Sequence, residues 1–461
     1  MKALARLAAL ALISLAATVP VRAESLADTM VAAYRHSALI EQNRAVLRAA
    51  DENVAASVAA LRPVVQWIAR YGAQHNEGST TVRSTSLSLG GTLTLYDFGR
   101  TQLAIDGAKE QVLATRQALV GVEQDVLLTA TRAYFSVREA IQQVALQENS
   151  VEVLSRERQA AQDRFDVGEI TVTDVALADA QLAATRAALA AAEGQLEVAR
   201  ESYLAVTGRQ PGRLDAPPPL PSLPPNLDEA RTIAQRRHPS IGQAQRQAAA
   251  AEISVAAAAA ERNPTLSGNA NVGVTNAPRA DLLGGYGSRN SASVGLELNQ
   301  TLYSGGRLPA AHRRAMAQRD QARSGLLNVS RQVSQTVGET WANIAVARAQ
   351  ITAIGQQISA AQQAYEGVRE EALLGARTTL DVLDAEQSLL QARADRITAE
   401  SQLQLAHYQL LSAMGLLTVE NLNLGIPTYD PSQYYNAVRD APFTSKQGES
   451  LDRVLRAIGR N

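Results

Sequence analysis

The chain has no cysteine, which removes disulfides, thiolate metal sites, cysteine nucleophiles and lipidation of an N-terminal cysteine. Aromatic residues make up only 4% of it, so bulky material for a spherical core is scarce. The net charge of −1 leaves no electrostatic footprint for nucleic acid. His36, His75, His238, His312 and His407 are scattered with no ligand spacing. Beyond the N-terminal segment no stretch is apolar enough, for the about 20 residues required, to span a membrane as a helix. What is abundant is alanine. Small side chains suit close helix-on-helix packing along narrow interfaces.

The N-terminus has the layout of a processing signal. Lys2 and Arg6 are a basic start, Leu7 to Val19 an apolar stretch, and Val21-Arg22-Ala23 a small-residue cleavage site before Glu24. Residues 1–23 are therefore expected to be a signal peptide, with an uncleaved anchor as the alternative. The mature chain is then exported without a transmembrane helix.

From there the sequence says the same thing twice, at a displacement of 207 residues. Tyr96-Asp97-Phe98-Gly99-Arg100 answers to Tyr303-Ser304-Gly305-Gly306-Arg307. Gly168, Thr171 and Asp174-Val175 answer to Gly375, Thr378 and Asp381-Val382, and Gly208 answers to Gly415. Two long copies point to a duplicated half-structure and away from a solenoid. The expected organisation is a first repeat over 24–213, a proline-rich linker over 214–225, a second repeat over 226–417 and a tail over 418–461.

Periodicity fills in the repeats. Leu26 to Leu61 reads as helix, and Gln66 to Gln74 as a strand ending in the polar turn Asn76-Glu77-Gly78-Ser79. Leu87, Leu89, Leu93 and Leu95 then alternate with Ser86, Ser88, Thr92 and Thr94, a strand with one apolar and one polar face. In the second copy Leu266 to Val274 and Ala292 to Asn299 alternate likewise. Its strand pair carries six extra residues, expected in the loop around Ala280 to Asn290.

After Arg100 a helical period holds for about 66 residues, or on the order of 100 Å. Its seam is Leu127, Ala130, Tyr134, Val137, Ile141, Val144, Val151 and Leu154, interrupted at Glu148. The seam returns as Val337, Trp341, Ile344, Ile351 and Ile358. Helices Val172 to Val206 and Thr379 to Met414 close the copies, and the tail is expected to be irregular.

Four strands of about 10 to 12 residues are long enough to cross a bilayer when tilted. A bacterial membrane barrel needs at least about eight strands, closed so that no backbone edge meets lipid. One chain cannot close such a barrel, so it must assemble with copies of itself. A soluble antiparallel sheet packed on helices is the alternative.

This layout resembles the TolC family of outer-membrane efflux proteins over nearly the whole mature chain. The features that carry the resemblance are the duplication, the junctions Tyr96 to Arg100 and Leu302 to Arg307, and the hairpin tips. The tips are Val167-Gly168 with Thr173-Asp174-Val175, and Gly375-Ala376-Arg377-Thr378 with Asp381-Val382-Leu383-Asp384-Ala385. The resemblance implies a mainly α fold, with long antiparallel helical hairpins forming a periplasmic tunnel. It also implies four strands per protomer, contributing to a trimeric twelve-stranded transmembrane β-barrel in the outer membrane.

It further implies a homotrimer set in outer-membrane lipid, a periplasmic adaptor, an inner-membrane transporter of RND or ABC type, no cofactor and no enzyme activity. Asp381 and Asp384 would ring a periplasmic constriction, with some of their pKa values raised by crowding. Arg377 would tie the second hairpin to Thr173 and Asp174 of the first. Val167, Gly168, Leu374 and Gly375 would dock the adaptor. Tyr96, Gly99, Arg100, Tyr303, Gly306 and Arg307 would form the barrel–tunnel junction. The tail motif Tyr429-Asp430-Pro431, with Tyr434-Tyr435 and Val438, looks like the branch that also serves type I protein secretion. One departure is Ala372, where well-known members carry a tyrosine.

Taken singly, the tip charges are ordinary solvated helix ends, and the tip glycines are first of all helix terminators. Two other classes stay open on residues alone. Asp381 and Asp384 share a helix face and could hold a metal or act as an acid and base in a hydrolase. A soluble coiled-coil scaffold is the second.

Overall fold

The computed structural model describes residues 23–75, 77, 81–278, 285–427 and 429–440. Met1 to Arg22 of the signal segment, most of the turn at 76–79, residues 280–284 of the second hairpin loop and the tail from 441 lie outside the described residues.

Each copy opens with two helices where one was expected: α1 (Leu26–His36) and α2 (Ala38–Ala59) in the first. Ser37, in extended conformation, ends α1 through its amide and caps α2 through its hydroxyl, 3.3 Å from the Ile40 amide. A polar side chain that accepts from the next turn is a helix boundary that apolar spacing does not reveal. Strands β1 (Val64–Gln74) and β2 (Val82–Tyr96) follow, then α3 (Arg100–Asp166) and α4 (Val172–Thr207).

The second copy repeats the order as α5 (Leu227–Arg237), α6 (Pro239–Ala260), β3 (Thr265–Pro278), β4 (Tyr286–Asn299), α7 (Arg307–Leu373) and α8 (Thr379–Ala413). Pro239 at the start of α6 forces the break there, since it has no amide to continue α5. The helices α3 and α7 are each 67 residues long.

The chain falls into two compact units. One comprises residues up to Ile40, Glu123–Ala234 and Gln335–Pro427. Here α3 and α4 pack through Ala133, Val137, Ala140, Leu196, Ala199 and Tyr203. The Tyr203 hydroxyl lies 2.9 Å from both Thr29 Oγ1 and Glu24 Oε2, which anchors the start of the described chain. Leu127, Ala130, Tyr134, Val137 and Leu154 are buried as the seam requires, but Ile141 is 40% exposed and Ala140 replaces it. Ser150 is buried where Glu148 was expected to interrupt, and Glu148 itself is exposed. A straight helix of 3.6 residues per turn drifts off a strict heptad, so the buried stripe moves by one position along such a length.

The other unit comprises Glu41–Val122, Gln235–Ser334 and the tail from 428 onward. Its sheet has the order β1-β2-β3-β4 with every neighbour antiparallel, so β1 and β4 are its edges. Register sorts the faces. Val65, Trp67, Leu87, Leu89, Val272, Val274, Val294 and Leu296 share one side, and Gln66, Ser86, Ser88, Asn269, Asn271, Thr275 and Ser293 share the other. The six extra residues of the second copy do not lengthen its loop. They add the pairs Asn276↔Ser288, Ala277↔Gly287 and Pro278↔Tyr286 beyond Thr275↔Arg289, the equivalent of Gln74↔Val82. Alternating residues go into a ladder because pairing satisfies backbone groups that a longer loop would leave to water.

The tail is not wholly irregular. Helix α9 (Pro431–Val438) is capped by Asp430, whose carboxylate accepts from the Ser432 amide at 2.8 Å. Tyr429 and Tyr435 pack on Leu47, Ala50, Val54 and Val112, with Arg44 and Arg116 stacked over their rings at 4.9 and 5.3 Å. An Asp cap with proline after it signals a helix too short for periodicity to detect.

Candidate functional site: hairpin tips and strand–helix junctions

The two hairpin tips are built the same way. Helix α3 ends at Gly168 (φ 80°), whose amide donates to the Phe165 carbonyl while the Glu169 amide reaches back to Arg164. Helix α7 ends at Gly375 (φ 76°), with the Gly375 amide on Ala372 and the Ala376 amide on Glu371. This left-handed termination satisfies the last carbonyls and turns the chain back, and glycine adopts it without a Cβ clash.

Each return helix then starts on a capping box. Thr171 N and Oγ1 donate to the Asp174 carboxylate at 2.9 and 2.7 Å. Thr378 N and Oγ1 donate to Asp381 at 2.9 and 2.8 Å, and the Asp381 amide returns to Thr378 Oγ1 at 3.3 Å. These bonds hold both carboxyls below the usual range: the Thr171 hydroxyl leads for Asp174, the Thr378 amide for Asp381. Within one chain Asp381 is therefore shifted down, where crowding in an assembled ring was expected to raise such groups.

Asp384 is exposed one turn further on, and Thr173 is exposed at the start of α4. Arg377 meets neither Thr173 nor Asp174 within this chain. Its Nε donates to Glu371 Oε2 at 2.9 Å, across its own tip, while Asp174 is turned onto its own cap. Val167 and Leu374 project into solvent at 72% and 85% exposure, and Ala372 is buried in the last turn of α7.

The junctions differ more in sequence than in backbone. Phe98 (φ 55°) and Gly99 (φ 84°) match Gly305 (φ 61°) and Gly306 (φ 92°), so both strand exits use two left-handed residues in a row. In the first, Asp97 accepts from the Gly99 and Thr101 amides and opens α3, and Tyr96 stacks edge-on against Phe98 at 4.6 Å. Arg100 donates to the carbonyls of Ala260 and Asn263, capping the end of α6. Arg307 lies 4.0 Å from Glu261, and Tyr303 is fully turned to solvent.

Sequence reasoning missed a cluster between the hairpins. Glu386 of α8 is only 7% exposed, and one of its carboxylate oxygens meets no donor among the described residues. It borders a cavity of about 260 Å³ lined also by Ser150, Arg156, Glu157, Tyr365, Arg369 and Arg393. Burial, reinforced by Glu157, pushes the Glu386 carboxyl up to about 7 against the pull of Arg369 and Arg393. Burial and the same two carboxylates push Tyr365 up to about 12. The signal was available: Glu386 falls between the buried Val382 and Leu389 at helical spacing.

Two-faced strands that leave both sheet edges open, joined to long hairpins with capped tips, define a chain that contributes to both a membrane barrel and a helical duct. Comparison with known proteins agrees. The model of the family "Outer membrane efflux protein" matches residues 31–209 and 231–416. The outer membrane efflux protein BepC of Brucella suis is 35% identical over 91% of this chain and 91% of its own. The outer membrane protein TolC of Escherichia coli is 27% identical over 70% of this chain and 69% of its own. Among solved structures, outer membrane protein VceC of Vibrio cholerae superposes with a TM-score of 0.72 at 21% identity, covering 85% of this chain and 96% of that one. The chain belongs to the outer membrane efflux protein family. It is an outer-membrane channel protein of the efflux or secretion class with a periplasmic helical part, and not an enzyme.

Proposed function

We propose that three copies of this chain close a twelve-stranded barrel and form the exit duct of a tripartite assembly. A periplasmic adaptor docks at the tips around Val167, Gly168, Leu374 and Gly375, and an inner-membrane transporter of RND or ABC type supplies the cargo. The observation that carries this reading is the sheet with two open edges and one apolar face, because lipid cannot satisfy open edges. Asp381 and Asp384 of each chain ring the constriction at the inner end. In the assembled duct Arg377 exchanges Glu371 for Thr173 and Asp174 and so ties neighbouring hairpins.

The test is electrical. The detergent-extracted protein should run as a trimer and conduct in planar bilayers, and Arg377→Ser with Asp174→Ala should raise the conductance. Asp381→Ala with Asp384→Ala should weaken cation selectivity without widening the pore. A tie variant that conducts no better than wild type removes Arg377 from the gate and leaves the duct standing. A monomer that stays soluble without detergent sinks the duct itself.

A further inference from the structure

Charge on the strands is rare, and its placement is uneven. Within the four strands the only carboxylate is Glu297. It pairs with Ser267, opposite Thr94, near the end of the sheet from which the helices leave. Toward the hairpin loops one register row runs Arg70↔Ser86↔Thr275↔Arg289 across all four strands. All four residues belong to the polar face. Both arginines are exposed and their row partners are small hydroxyl residues, so among the described residues no carboxylate neutralises either guanidinium. Arg83 is different: it pairs with Ala73 and belongs to the face of Leu87 and Leu89.

Arg70 is on β1 and Arg289 on β4, the two edge strands. Their meeting in the assembly rests on the trimeric barrel proposed above. On closure each β4 lies against the β1 of the next chain, about 4.8 Å away, with a stagger set by the barrel's shear. Every seam then receives an arginine from either side, and the polar face lines the lumen. Helices are periplasmic, so the hairpin end faces outward.

We propose that Arg70 and Arg289 form a basic band near the outer mouth of the duct that binds multivalent oxyanions of the phosphate class. Guanidinium forks match such oxygens bidentately. At physiological salt, screening over about 8 Å makes a water-filled lumen nearly blind to a monovalent ion at its centre. A multivalent anion that reaches the wall is held. The lumen therefore changes sign along its length, basic outside and acidic at Glu297.

Inorganic pyrophosphate is the probe, added to one side of a planar bilayer at a time. The expected result is block of wild-type channels at lower concentration from the hairpin-loop side. Arg70→Ser with Arg289→Ser should weaken that block at least about tenfold, while Arg83→Ser leaves it unchanged. Equal block of wild type and the double variant overturns the basic band and leaves the duct intact. Wild-type protein that forms no channel overturns both. Full wild-type conductance and trimer content in the double variant separate loss of the anion site from loss of fold.

Discussion

Equivalent positions in the two hairpins have been resolved in opposite ways. Arg158 and Asp179, on α3 and α4, form an ion pair at 2.8 Å with side chains 34% and 50% exposed. Shifted by 207 residues they become Tyr365 and Glu386 on α7 and α8. There the carboxylate is buried, its pKa is pushed up to about 7, and the arginines that face it come from other positions. The same backbone thus holds a solvated pair in one copy and a strained buried acid in the other. A surface pair of this kind contributes little, whereas a buried carboxylate makes stability depend on pH.

The largest effect should come from removing that buried charge. Because the folded pKa of Glu386 is raised above 4.5, its contribution is fully present below about 4.5 and is lost as pH rises through about 7. Glu386→Gln should therefore raise stability at pH 8 by about 2–3 kcal/mol, and the gain should vanish near pH 4.5. Asp179→Asn should change little at either pH. Thermal unfolding of the detergent-solubilised protein at the two pH values reads this directly. A Gln variant no more stable than wild type at pH 8 would mean that Arg369, Arg393 and Arg156 already satisfy the ionised carboxylate.

The tip glycines should bring the two copies back into agreement. Gly168 and Gly375 have nearly equal φ, and a Cβ built at either meets nothing within 4 Å. The cost of Gly168→Val and Gly375→Val is then purely one of backbone conformation, about 1–2 kcal/mol each and equal in both. Gly273 is the contrasting case. Its φ is ordinary, but a Cβ would sit 2.9 Å from Ser88 Cβ, so crowding between β2 and β3 is what requires glycine there. Unequal losses at the two tips would show that one of them carries contacts the other lacks.

What was legible in the sequence was whatever repeats locally. The displacement of 207 residues makes the two long helices equal in length and position within each copy, and alternation at Leu87, Leu89, Val272 and Val274 assigns both faces of the sheet. The break at Ser37 was not legible, because a hydroxyl cap leaves the apolar spacing of α1 and α2 intact. Helix α9 has too few turns to show a period. The fate of Arg377 was hidden for another reason: motif position placed it beside Asp174, but Glu371 and the Thr171 cap compete for the two partners within each tip. Glu386 stands in the sequence as an acid at a core position, between Val382 and Leu389, but its burial depends on the facing helices and not on its own spacing.

The smallest effect, and the finest comparison, lies in the caps. Thr378→Ala removes a hydroxyl that donates to Asp381 and accepts from its amide, and should cost about 1 kcal/mol. Thr171→Ala should cost less, because the Asp174 amide has the Thr171 carbonyl at 3.1 Å as an acceptor. Amide hydrogen exchange over the first turns of α4 and α8 can resolve the two, with protection falling roughly fivefold for each kcal/mol lost. The pH dependence has the opposite sign to that of Glu386. Asp174 and Asp381 have folded pKa values below 3.8, so their contribution is present above 3.8 and is lost as pH falls through the folded values. Acid should therefore loosen both tips below about pH 4 while it relieves the strain at Glu386, about a turn and a half beyond Asp381. Asp174→Asn and Asp381→Asn should each abolish the acid loosening at their own tip and leave the other unchanged. Loosening that persists in the Asn variants would assign it to another group and separate cap chemistry from the acid response.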